Sequence, residues 1–81
     1  MEGMEVGELL KQYAAGERNF KGITLVGMDL TGANLSHANM QDTNLFRINL
    51  KGADLFRTNL KGVDLTGVDI SNAFLDKWAD N

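Results

Sequence analysis

Eighty-one residues make one small domain, and a chain of this size buries only about 60% of the surface it exposes when unfolded. Eight Lys and Arg against eleven Asp and Glu give a formal charge of −3, the wrong sign for a protein that binds nucleic acid by neutralising phosphates. Cysteine is absent, which excludes disulfides, thiolate zinc sites and cysteine nucleophiles, and no apolar run is long enough for a membrane-spanning helix.

Residues 1–17 are predicted to form an N-terminal helical cap. Val6, Leu9, Leu10 and Tyr13 recur at helical spacing, acidic side chains crowd the first turn, and Gly16 ends the pattern. Gly7 weakens the start of the helix. Glu2 and Glu5 stand where a secretory leader carries positive charge, so no leader is expected and the cytoplasm is the expected location.

From Arg18 the chain changes character. Residues 18–77 divide into twelve consecutive blocks of five. The third position of every block is apolar, from Phe20, Leu25 and Leu30 through to Ile70 and Leu75. The second is Asp or Asn in ten blocks, with Thr24 and Phe74 as the exceptions, and the fifth is Gly in six. A period of five is neither the 3.6 of a helix nor the 2 of a strand. On extended backbone positions one and three point the same way, so both face inward. A turn in each block, eased by Gly where φ must be positive, brings the chain around an axis. No block buries its own Leu, so the blocks must stack.

The blocks ANLSH, ADLFR, VDLTG and INLKG resemble the consensus A(D/N)LXX of the pentapeptide-repeat family. The resemblance runs over residues 18–77, and the opening ELLKQYAAGERNF is similar to that of short cyanobacterial members. It implies an all-β, right-handed quadrilateral β-helix with four blocks per coil, hence about three coils, under an N-terminal α-helical cap. Columns at a lag of twenty accord with this: Ala33, Ala53 and Ala73 form one, Met28, Ile48 and Val68 another, and Asn19, Asn39 and Asn59 an asparagine ladder.

A solenoid exposes apolar surface and open backbone edges at both ends. The residue 1–17 helix is expected to cover the first coil. At the other end residues 78–81 form a C-terminal cap or tail. Phe74 and Trp78 are large and apolar where the pattern is polar. They are expected either to fold over the last coil or to serve as an end-to-end contact, since such dimers occur in the family. The chain is therefore expected to be a monomer or an end-to-end homodimer.

Function must lie on the outside, because the interior is committed to packing. Seven Lys and Arg against six Asp leave residues 18–77 at +1. Some family members inhibit DNA gyrase by resembling duplex DNA. A rod of three coils would need on the order of nine net negative charges to do so, so a DNA-mimicking inhibitor of DNA gyrase or another topoisomerase is the alternative reading. The favoured one is a non-enzymatic scaffold or adaptor for an unidentified protein partner. Its candidate binding residues are Phe46–Arg47 and Phe56–Arg57, because an exposed aromatic beside Arg is a typical interface anchor. The two pairs are ten residues apart and project from opposite faces of a four-sided coil. The other polar residues point to no chemistry. His37 stands in one column with Arg57 and Lys77, a poor metal site. Ser36 beside it has no oriented base, and Asp29 and Asp69 are two coils, or about 10 Å, apart. The spacing of Gly22, Gly27 and Gly32 is that of turns, with no phosphate-binding pattern. No catalytic residue, cofactor, metal or direct nucleic-acid contact is expected.

Overall fold

The five-residue period sets the backbone geometry. In the computed structural model, which describes residues 3–27 and 29–76, position two of each of the first eight blocks forms a parallel bridge to the residue twenty positions on. The bridges run from Asn19↔Asn39 and Thr24↔Asn44 to Asn49↔Asp69 and Asp54↔Phe74. Bridged residues are thus separated by four blocks, and the chain is a β-helix solenoid. The hydrogen bonds run both ways between stacked circuits: Leu30 N donates to Asn49 O at 2.8 Å, and Asp54 N donates to Ala33 O at 2.8 Å.

Ten of the blocks close in a turn. The N–H of position one donates to the carbonyl of the preceding position three, as from Ala33 to Leu30 at 3.0 Å and from Ile48 to Leu45 at 2.9 Å. Position five is the third residue of that turn, where a positive φ is required. It has positive φ in every described block: six are Gly, and the others are His37, Asp42, Arg47, Arg57 and Asn72, at 56 to 64°. Position two braces the same turn. Its Oδ1 accepts the N–H two residues on, as in Asn34 to Ser36 at 3.0 Å and Asn49 to Lys51 at 2.9 Å. The preference for Asp or Asn is therefore a preference for a short acceptor that fixes a corner. Turns this frequent leave each circuit joined by single bridges, with regular strand only near the N-terminus.

Positions three and one fill the core. Phe20, Leu25, Leu30, Leu35, Met40, Leu45, Leu50, Leu55 and Leu60 are at most 7% exposed, and Ala38, Ile48 and Ala53 pack among them. Two inward hydroxyls are satisfied by backbone: Thr43 Oγ1 donates to Met40 O at 2.8 Å and Thr58 Oγ1 to Leu35 O at 2.7 Å. Among the described residues no buried polar side chain lacks a partner. Burial then declines toward the C-terminus: Leu65 is 37% exposed, and Ile70 and Leu75 are half-buried.

At the N-terminus the helix α1 spans Val6–Ala14, and Gly3–Glu5 before it form β1. β1 pairs in parallel with β2, Thr24–Val26, in the register Gly3↔Thr24. The cap is thus part strand and part helix, and β1 supplies the edge of the first circuit with the backbone partner it would otherwise lack. Leu9 is fully buried against the core, while Leu10 turns outward. Tyr13 latches the helix to the solenoid: its hydroxyl donates to Ser36 O at 2.8 Å, and the Arg18 guanidinium lies 3.6 Å from its ring centroid.

Candidate exterior binding sites

Position four lies at the outer edge of the corner and, apart from Val26 in β2, carries neither core nor bridge. Phe46 and Phe56 occupy it, each followed by an Arg at position five. The Arg backbones stand at φ 61° for Arg47 and 56° for Arg57. Asn, Asp and His tolerate this region better than other side chains, which accounts for His37, Asp42 and Asn72. Arg has no such tolerance, and its placement there costs on the order of 1–2 kcal/mol relative to an unstrained conformation. Each guanidinium folds toward the preceding ring, 5.1 Å from the Phe46 centroid and 5.4 Å from that of Phe56.

The two pairs lie half a circuit apart, and the structure does not bring them together. Phe46 is 56% exposed, and among the described residues its ring has no aromatic partner. Phe56 is half-buried between two rings: His37 meets it edge-on at 5.5 Å, and Phe74 stacks on it at 5.7 Å. Phe74, itself 56% exposed, thus joins the side of the solenoid that carries Phe56. The lag of twenty contained this signal, because it sets Phe74 over Asp54, two residues before Phe56. Arg57 N donates to Asp76 Oδ1 at 3.3 Å, across one circuit. Trp78, the other candidate end contact, lies outside the described residues.

Beside Phe46 an open groove of about 410 Å³ runs along a corner, lined by Asp29, Arg47, Ile48, Asn49, Gly67 and Asp69. Sequence reasoning weighed the two Asp only as a distant pair and missed the groove. Gly67, one circuit on from Arg47 in its column, contributes no side chain to the lining, and a Cβ there would stand 3.3 Å from Arg47 Cγ. The Thr31 hydroxyl, then its N–H, holds the Asp29 carboxyl below the usual range. The Ser71 hydroxyl at 2.6 Å, then its N–H, does the same for Asp69. Among the described residues no three His, Asp or Glu converge as metal ligands, and no helix is long and apolar enough to cross a membrane.

Residues 19–52 and 43–77 match the family model described as pentapeptide repeats, with eight copies. Among solved structures the chain is similar to alr5209, a pentapeptide repeat protein from Nostoc Pcc 7120. The two are 27% identical over 94% of this chain and 78% of that one, with a TM-score of 0.42. No curated protein matches the chain significantly.

Proposed function

The chain belongs to the pentapeptide-repeat family, and from that premise we propose that it is a small non-enzymatic scaffold that binds a protein partner through an exterior face. The solenoid of this proposal is right-handed and quadrilateral with about three coils, on the family's precedent and the lag of twenty. Its setting is the cytoplasm of a cyanobacterium, as the opening segment suggests.

The observation that carries the reading is the backbone of Arg47 and Arg57. Position five accepts Gly without strain, and half of the blocks use it. At two corners the chain instead holds a long cationic side chain in the left-handed region, each time beside an outward Phe. Local strain retained at two corners that Gly could occupy points to function, and aromatic–Arg pairs are the side chains most often decisive in protein contacts.

The test is affinity capture from cyanobacterial lysate with the wild type, Phe46→Ser and Phe56→Ser, each at low and high salt. The scaffold reading expects a protein that the wild type captures and at least one Phe variant loses, with little effect of salt. Capture that survives both substitutions and collapses in high salt would refute it in favour of an electrostatic partner, with gyrase then the first to assay.

A further inference from the structure

The two Phe–Arg pairs are unlike in their surroundings. Phe56 is packed between His37 and Phe74, whereas Phe46 stands out beside an open groove. That groove carries both signs of charge. Arg47 forms one wall, and Asp29 and Asp69 stand on the other. Among the described residues Arg47 makes its ring contact with Phe46 and no ion pair with either carboxylate. A partner presenting only acidic groups would meet Arg47 and be repelled by the two Asp, and one presenting only basic groups would meet the reverse. A surface that carries the same mixed pattern, turned by a two-fold axis, satisfies both halves at once. It sets Arg47 of each copy against the carboxylates of the other, as an isologous contact requires. The shapes match in the same way: Phe46 is a projecting ring, and Gly67 leaves room for one in the lining of the groove beside it.

We propose that the Phe46–Arg47 side of the solenoid is a two-fold contact between two copies of this chain, with each Phe46 seated in the other copy's groove. The inference rests on the reading that exterior Phe–Arg pairs are docking positions, and it assigns one of the two. The size fits. The chain exposes 4795 Å² over a body of 27 × 25 × 22 Å, so one of six sides offers about 800 Å², the amount each partner buries in an interface of ordinary size. The dimer therefore uses one whole side and leaves the Phe56 side open to another protein.

The test is sedimentation equilibrium of the full chain over a wide concentration range, with variants that preserve the fold. Arg47→Asp suits the backbone, since Asp42 already holds φ 60°. Asp29→Asn/Asp69→Asn keeps the turn acceptors, as Asn49 does in the same column. The wild type is expected to dimerise as concentration rises. Phe46→Ser should weaken dimerisation by about tenfold or more, a loss of at least ~1.4 kcal/mol, and Phe56→Ser should leave it unchanged. Arg47→Asp should be monomeric alone. Mixed with Asp29→Asn/Asp69→Asn it should form a heterodimer, since one Arg–Asp half of the contact is restored. A wild type monomeric at every concentration would overturn the proposal. So would a dimer indifferent to Phe46→Ser and Arg47→Asp but lost with Leu65→Glu, which would place the contact at the end of the solenoid. Either failure leaves the scaffold reading standing if lysate capture still depends on Phe56.

Discussion

Leu25, Leu45 and Leu65 occupy one column at a lag of twenty but differ in surroundings: Leu45 is 1% exposed and Leu65 37%. Replacing each in turn by Ala tests whether stability comes from neighbours stacked on both sides. Leu45→Ala removes a side chain enclosed by the circuits before and after it. Transfer and cavity terms add there, and the loss should be about 3 kcal/mol, within the 2–5 kcal/mol usual for such changes. Leu65 is only partly withdrawn from water, and the space its removal leaves opens to solvent. Its loss should be about 1 kcal/mol. A domain of this length has roughly 4–12 kcal/mol in all, so both variants should fold. The assay is urea unfolding, followed by circular dichroism. With a slope near 1 kcal/mol/M for so small a chain, the midpoint should fall by about 3 M for Leu45→Ala and about 1 M for Leu65→Ala, with slopes unchanged. Equal shifts, or a larger one for Leu65, would refute the argument that a block's contribution depends on its place in the stack.

Gly62→Ala should destabilise by at least ~1–2 kcal/mol: φ there is +77°, and the added methyl would meet the Asp42 carboxylate. Thermal melting should show Asp42→Gly recovering only part of the loss, because the backbone strain remains. Tyr13→Phe should cost about 1 kcal/mol through the lost hydroxyl bonds, and hydrogen exchange should quicken in Val6–Ala14 before it does so in the core. Acid should also weaken the fold. The carboxyls of Asp29, Asp64 and Asp69 are lowered by hydrogen bonds from Thr31, Thr66 and Ser71. A depressed folded value contributes stability above the ordinary carboxylate value of 3.8 and loses it as pH falls through the folded one. The melting temperature should therefore fall below about pH 4, and Asp29→Asn/Asp64→Asn/Asp69→Asn should flatten that fall. An unchanged pH profile would show that these bonds are equally available in the unfolded chain.

The solenoid was legible in the sequence because each position of the block has one physical duty. Leu at position three reads as core, Asp or Asn at position two as the corner acceptor, and Gly at position five as the left-handed turn residue. What escaped was set by contacts between circuits. Gly3–Glu5 looks like the frayed start of a helix, because no local pattern marks three residues that complete a neighbour's edge. Leu10 falls at helical spacing with Leu9, yet only Leu9 meets the core: a short helix lying on a narrow end has room to bury one of them. Phe74 reads as an end residue in a linear scan, and its stacking on Phe56 emerges only when blocks are aligned at a lag of twenty. The groove is less legible still. Part of its lining is a side chain that is missing, at Gly67, beside one that is present, at Arg47.

The division of duties within the block also indicates where a function can arise without loss of the fold. Positions one and three must pack, position two must brace the corner, and position five is restricted by its φ. Position four is bound to neither the core nor a special φ: its hydroxyls, as at Thr66 and Ser71, only bond the corner Asp, so an aromatic side chain there exposes apolar surface and gains little for the core. Phe at position four therefore carries more information about binding than any Leu in the chain, and the strained Arg that follows it carries more still. The same logic separates the two pairs. Phe56 has been given packing partners, His37 and Phe74, and its exposure is reduced. Phe46 has no aromatic partner among the described residues, only the Arg47 guanidinium 5.1 Å from its ring, and an open groove lies on its side. A side whose open groove presents both charge signs beside a projecting ring is best matched by its own two-fold copy.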